Sequence, residues 1–285
     1  MYLTTLIITN SVTASNNMGE NEGNMQTLQK LHTPKGMFSS YSGVSIKRAS
    51  RDAMQACGAK MWRITAPEFD KDNPAGYLYD TGDGTRVPGM KDAMPASAAD
   101  YDDTLLFGFM VAPKGKEKDT VKQAGNVEVS TALSTTVYGN DCAFVQGLKA
   151  DGQLNPFSRE RHHTRYHFTV NANMDALQAR PEALVRFLDS LRSLRVGGSH
   201  GSNATSLSPD VIAWRFHKEP GCGGLYLGMF NANPDEPVDT TAIVEHCRNL
   251  GITFEMAGKD LSMTTDEGIK AIIAAVRAHY AQGQK

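Results

Sequence analysis

Thr164-Arg165-Tyr166-His167-Phe168-Thr169-Val170 is the stretch that decides the fold class. Aromatic and branched residues alternate with polar ones, which predicts a strand, because successive strand side chains point to opposite faces. Tyr166, Phe168 and Val170 fall on one face; Arg165, His167 and Thr169 fall on the other. Downstream, Pro181 stands at a helix start, and apolar residues recur at 184, 187, 188, 191 and 194, the spacing of a helix. Working outward, residues 2–9 predict a strand and 45–57 a helix. Residues 61–65 read as a short strand. Tyr101–Val111 and 126–136 are strand-like. Strands follow around Trp214 and Phe216 and over Leu225–Phe230, and two helices lie near 239–250 and 265–282. Strand, helix, strands, helix, strand predicts an α+β fold with a ferredoxin-like core, the RRM-type arrangement. Residues 66–100, with Pro67, Pro74, Pro88, Pro95 and many Asp and Gly, read as an irregular insertion.

The chain has 285 residues, 40% of them hydrophobic, enough for one large domain. No apolar run approaches the length of a membrane span. The N-terminus lacks a basic leader, and its Thr-rich alternation reads as a strand rather than a signal peptide. Four cysteines, Cys57, Cys142, Cys222 and Cys247, are widely separated. That argues against a disulfide scaffold and a common zinc site, and it fits a reducing cytoplasm. The formal net charge is −2, but charge is segregated. Residues 40–66 hold Lys47, Arg48, Arg51, Lys60 and Arg63 against Asp52. Residues 67–103 hold Glu68, Asp70, Asp72, Asp80, Asp83, Asp92, Asp100, Asp102 and Asp103 against Lys71, Arg86 and Lys91. Segregation permits a basic groove on a protein that is near neutral overall.

The chemistry gathers in a few segments. Tyr41-Ser-Gly-Val-Ser-Ile-Lys-Arg-Ala-Ser-Arg51 feeds a helix starting near Ser45, with Lys47, Arg48 and Arg51 in its first two turns. Cations there oppose the partial positive charge of a helix N-terminus. An anion relieves that conflict, so free N–H groups, a Ser hydroxyl and converging cations make a phosphate site. A solvated basic face is the other reading, and this segment alone does not choose between them. Ser11 to Asn24, with Asn16 and Asn17, is rich in small polar groups that suit contacts to a sugar-phosphate chain. Leu194-Arg-Val-Gly-Gly-Ser-His-Gly-Ser-Asn203 is a glycine loop after a helix. There Gly197, Gly198, Ser199, His200 and Asn203 suit close approach to a backbone phosphate; an ordinary helix C-cap is the alternative.

Residues 137–163 have turn chemistry at both ends and lead into Arg159, Arg161, His163 and Arg165, a basic finish facing phosphate. Tyr138 and Phe157 flank that segment and are candidates to stack on bases, worth about 1–3 kcal/mol each. Tyr166 reads as core. His163 and His167 would share a strand face, but no Asp, Glu or Cys completes a metal set. No phosphate-loop fingerprint is present, so no cofactor, metal or catalytic residue is expected.

Strand one followed by Asn16-Asn17, Val44-Ser-Ile-Lys-Arg-Ala-Ser-Arg51, Leu105-Leu-Phe-Gly-Phe-Met110, Val127-Glu-Val-Ser-Thr-Ala-Leu-Ser-Thr-Thr136 and the Gly197-Gly198 loop occur in one order. Together they resemble the backbone subunit of type I CRISPR Cascade complexes, in the RAMP superfamily, nearest the autoregulator (DevR-like) branch of type I-B systems. The resemblance covers roughly the first two hundred and twenty residues. It implies a palm carrying the sheet, a finger insertion at about 66–100 and an extended thumb hairpin at about 137–163, all within one domain of residues 1–285. It implies a non-catalytic subunit that polymerises head to tail along a CRISPR RNA and presents the guide to target DNA, with other Cascade subunits capping the filament and no membrane partner. Related type III subunits cut RNA with a loop aspartate; Asp141 lies in a comparable region, but the branch resembled here is not a nuclease. A stand-alone RRM-like RNA-binding or RNA-processing protein is the alternative, and a transcriptional regulator a third reading.

Overall fold

The computed structural model describes residues 1–15, 17–62, 68–69, 77–80, 86–87, 100–111, 121–148, 151–196, 205–221, 223–225, 228 and 230–282. Asn16, Gly197, Gly198, Ser199, His200 and Asn203 lie outside these residues, as does most of 66–100.

The chain opens with strands β1 (Tyr2–Thr9), β2 (Val12–Ala14), β3 (Asn17–Glu22), β4 (Met25–Leu28), β5 (Lys30–Thr33) and β6 (Gly36–Tyr41), then helix α1 (Gly43–Ala56). Short strands β7 (Glu68–Phe69), β8 (Tyr77–Asp80) and β9 (Arg86–Val87) precede helix α2 (Asp102–Phe107). Next come β10 (Gly108–Val111), β11 (Val121–Ala124), β12 (Val127–Val129) and β13 (Ala132–Ser134). A long hairpin of β14 (Cys142–Leu148) and β15 (Leu154–Glu160) leads to β16 (His162–Thr164) and β17 (Tyr166–Asn173). The chain ends with α3 (Pro181–Ser190), β18 (Arg195–Val196), β19 (Thr205–Ser206), β20 (Pro209–His217), α4 (Thr241–Asn249), β21 (Glu255–Gly258) and α5 (Thr265–Gln282).

The mixed α+β architecture rests on a sheet of eight strands in the order β21-β20-β1-β17-β13-β6-β5, with β12 also on β17. Its pairings are antiparallel. β1 is central and buried from Leu3 to Thr9, because both faces of the sheet are covered. On one face Leu3, Ile7, Phe168, Val170 and Trp214 pack with Ile46 and Met54 of α1, Leu184 and Phe187 of α3, and Ile272 and Val276 of α5. On the other, Leu6, Ile8, Val211 and Ala213 pack with Leu225, Phe230, and Ile243 and Cys247 of α4. Each buried Val, Leu, Ile, Phe or Met among them contributes about 1.5–3 kcal/mol of burial, which makes these two layers the principal source of stability.

Several elements differ from the pattern in the sequence. Over Tyr101–Val111 the chain forms α2 before β10, because Asp102 and Asp103 in its first turn accept the Lys60 and Trp62 N–H groups at 3.3 and 2.8 Å. The strand expected over 126–136 is two strands, interrupted at Ser130, which exchanges bonds of 2.9 Å with the Thr169 backbone. Met61 and Trp62 are not in a strand, and residues 63–65 lie outside the described ones. No strand forms among the described residues of Leu225–Phe230.

β14 and β15 form the expected hairpin, but not alone. β15 pairs in parallel with β4, and β3 completes a four-stranded sheet in the order β14-β15-β4-β3. The polar tract at 11–24 is therefore largely strand: β2 pairs with β16, and β3, turned into β4 at Gly23 with φ +61°, belongs to the four-stranded sheet, the arm of the molecule.

Candidate nucleic-acid interface

α1 begins in a polar, uncompensated setting. Ser42 caps it, its Oγ accepting the Ser45 N–H at 3.1 Å, and no acidic residue sits in the first turn. Gly43 has to be glycine: a Cβ there would stand 2.2 Å from the Val129 carbonyl oxygen, so the helix start lies hard against β12. Val44 is 75% exposed at the same turn.

Three cations follow with different settings. Arg48 is exposed and 3.8 Å from Asp52, a pair worth little in water. Lys47 is half-buried and makes no ion pair among the described residues. Burial, then repulsion from Arg51, lowers its pKa, with Glu128 opposing. Arg51 is 23% exposed, 3.4 Å from the buried Asp103 carboxylate, and its guanidinium lies 4.9 Å from the Phe107 ring centre. Burial lowers the Arg51 pKa and raises that of Asp103, and each partner offsets the shift of the other.

The strands that bracket residues 197–204 stand beside this helix start. β18 and β19 pair through Arg195 with Ser206 and Val196 with Thr205. The Tyr41 hydroxyl donates to Thr205 Oγ1 at 2.7 Å, fixing β19 to the residue just before the cap. Val44, Ser45, Arg48, Ala49, Asp52, Arg195 and Val196 line a hollow of about 250 Å³. Two segments that the sequence singled out separately therefore meet. Arg195, which the sequence reading passed over, joins them; its place directly before the glycine pair was the available signal.

The arm holds a second group. Arg159 is buried at its root, its Nε donating to Gln26 Oε1 at 2.8 Å and its guanidinium 5.5 Å from the half-buried Phe157 ring. Arg161 is exposed. His163 is exposed, its ring nitrogens 3.1 Å from the Ser11 and Thr13 hydroxyls, with Asp235 at 3.4 Å. His163 lies in the separate β16–β2 pair, and Asn17 begins β3 in the four-stranded sheet that carries Arg159.

Two expected contacts are corrected. Arg165 is buried, paired with Asp210 and donating to the Thr9 and Glu236 carbonyl oxygens at 3.2 and 3.0 Å. It bolts β17 to the loop before α4 and has no face to offer a phosphate. Tyr138 is also buried, under Lys30 at 5.0 Å, with its hydroxyl 3.3 Å from the Asp141 carbonyl oxygen. A ring so enclosed cannot take a base on its face.

His167 is buried against Phe230 at 6.0 Å between ring centres, and burial lowers its pKa to about 4. It does not converge with the exposed His163. Among the described residues no cluster of His, Cys, Asp or Glu could hold a metal ion. No helix among them is long and apolar enough to cross a membrane.

No family model matches the chain. Its fold is similar to a chain of a solved "CRISPR RNA-guided surveillance complex, pre-nicking", with a TM-score of 0.64 at 15% identity over 97% of this chain and 100% of that one. A chain of another "CRISPR RNA-guided surveillance complex" gives a TM-score of 0.58 at 15% identity over 96% and 99%. In sequence it is 30% identical over 233 residues to the CRISPR-associated protein Cas7/Cst2/DevR of Myxococcus xanthus (strain DK1622), spanning 75% of this chain and 71% of that protein. With that extent of identity, and with the fold agreeing from end to end, this chain belongs to the Cas7/Cst2/DevR family of CRISPR-associated proteins.

Proposed function

We propose that this protein is a non-catalytic backbone subunit of a type I Cascade effector complex, of the I-B kind, that binds CRISPR RNA in the cytoplasm. The observation that carries this reading is the meeting of the cationic start of α1 with the stems of the 197–204 loop in one hollow. Arg48 and Arg195 line it together with Asp52, and Lys47 stands in the same first turns of the helix, whose end already favours an anion. A sheet covered on both faces supports the same reading, since classical RRM readout needs an open face on which bases stack. Bases held by their phosphates alone stay free to pair, so sequence is read by pairing and the protein senses backbone and shape.

Strand order β20-β1-β17-β12/β13, with α1 and α3 on one face, supports a ferredoxin-like palm. The β14–β15 hairpin is then the thumb and the 66–100 region the finger, all in one domain. Head-to-tail copies along the guide, capping Cascade subunits and target DNA reached through the guide complete the proposal. Open-ended contacts of this kind give filaments whose length a template sets. Arg161, His163 and Phe157 with Asn16 and Asn17 form the second contact with RNA, while the buried Arg159, expected there as well, instead holds Gln26 of β4, and Gly197, Gly198, Ser199, His200 and Asn203 form the first, beside Ser45.

Salt-dependent binding of a guide-length RNA tests this. Replacing Lys47, Arg48 and Arg51 by alanine should weaken binding with little sequence dependence and lower the slope of log K against log salt by roughly 0.7 for each lost phosphate contact. An unchanged slope with an intact fold refutes the assignment. Binding by the native chain that stays one protein per RNA at every length favours a stand-alone RNA-binding protein instead.

A further inference from the structure

Asp103 does more for α1 than neutralise a charge. Its Oδ1 accepts the Trp62 N–H at 2.8 Å, and its Oδ2 faces Arg51 Nε at 3.4 Å. Only the Nε edge of the guanidinium is engaged, and the Phe107 ring supports its plane. Neither Nη group has a hydrogen-bond partner among the described residues. The group opens on a hollow of about 250 Å³ lined by Arg48, Arg51, Trp62, Asp103, Thr104, Gly108, Phe109 and Met110. A guanidinium binds phosphate best through two parallel N–H groups in a fixed plane. Asp103 and Phe107 supply that fixity and leave the Nη edge outward.

The neighbouring carboxylate extends the arrangement. Asp102 is fully buried and takes Arg180 at 2.8 Å and Arg186 at 2.9 Å. Arg180 also donates to the Asp100 carbonyl oxygen at 2.7 Å. Asp103 and Asp102 thus tie the outgoing end of the 63–99 segment, at Lys60 and Trp62, to its return at Asp100. They tie both ends to α1 and α3.

We infer that Asp103 is a positioning residue for RNA binding: it holds Arg51 so that the free edge of the guanidinium meets a backbone phosphate. The inference rests on the RNA-binding reading above and adds a role for a buried acid that simple electrostatics would count as harmful. An acid beside an RNA site repels phosphate. If Asp103 acts only by charge, removing it tightens binding; if it positions Arg51, removing it weakens binding.

The test is a double-mutant cycle on the full chain with a guide-length RNA. Asp103→Asn keeps the acceptor for the Trp62 N–H and drops the charge. We expect about tenfold weaker binding, the scale of one charge-assisted hydrogen bond, with partial rescue by Asp103→Glu. In an Arg51→Ala background Asp103→Asn should change affinity by less than about twofold, and the salt slope should already be lower by roughly 0.7. Tighter binding by Asp103→Asn overturns the proposal, and so does an equal loss in both backgrounds, which marks a structural role. If Arg51→Ala binds as the native chain does while Lys47→Ala with Arg48→Ala does not, the positioning role fails and the RNA-binding reading stands. If the native chain binds no RNA, both fall.

Discussion

His167 shows what the covered sheet face does to a single side chain. Its Nε2 is buried without a hydrogen-bond partner among the described residues, and burial lowers its pKa from 6.5 to about 4. The unfolded chain takes up a proton below its ordinary value, whereas the folded chain does not until about pH 4. The contribution of His167 is therefore constant above pH 6.5 and is lost as pH drops through that window, at about 1.4 kcal/mol per pH unit for each such proton. His162, lowered to about 4 mainly by burial, adds a second proton to the same limb. His167→Phe should make the acid limb of a denaturant-derived stability curve shallower by one proton, and an unchanged limb would show that His167 is not its source. Such residues also mark where sequence reading stops. Alternation placed Arg165, His167 and Thr169 on one face of a strand, and they are there. What the pattern did not carry is that Leu225, Phe230, Ile243 and Cys247 fold over that face, because a covering made by distant chain leaves no period in the strand beneath it.

Elements with their own periodicity were legible: α3, α4 and α5, β1, and the strand at Tyr166 all stand near their expected bounds. α1 begins at Gly43 rather than Ser45, since Ser42 provides the cap. The arm was half legible. Its β14–β15 hairpin was expected from the family resemblance, the residues themselves giving only turn chemistry at both ends of 137–163, whereas β3 and β4 carry a polar composition that tertiary pairing overrides. The root of the arm is an ion pair between a buried carboxylate and a half-buried lysine. Glu160 accepts Lys30 Nζ at 2.7 and 2.8 Å and the Leu28 N–H at 2.6 Å, so one carboxylate joins β15 to β4 and β5. Glu160→Ala strands a half-buried ammonium and a buried backbone donor and should cost about 2–3 kcal/mol, read as a fall of several degrees in Tm. Arg277→Ala, which breaks the exposed pair with Glu182, should leave Tm nearly unchanged; equal losses would refute the distinction.

At the scale of the whole molecule the arm projects apolar groups into solvent: Phe144 is 70% and Leu154 60% exposed. Leu154 stands at the hairpin's far end, opposite Leu148, and Phe144 nearer its root, opposite Ser158; large side chains left so open suit the neighbouring copy proposed above. Gln146 pairs with Pro156, so residues 147–155 can be replaced by Asn-Gly, a two-residue hairpin turn, without touching the pairing of Ser158 and Arg159 with β4. The shortened chain should stay folded and bind short RNA. On long guide RNA it should lose regularly spaced nuclease protection and assemblies whose mass grows with RNA length. Persistence of both would move the intersubunit contact elsewhere, to the 66–100 region first. The construction of the arm also sets an order of events in time. Leu28 and Glu160 lie 132 residues apart in sequence, and closing so long a loop is slow unless intervening structure has already drawn its ends together. The eight-stranded sheet, through β6 and β17, does that. In the assembly proposed above, a copy would acquire its grip on a neighbour last, after its own core is complete, and a half-folded chain would have nothing with which to enter a growing filament.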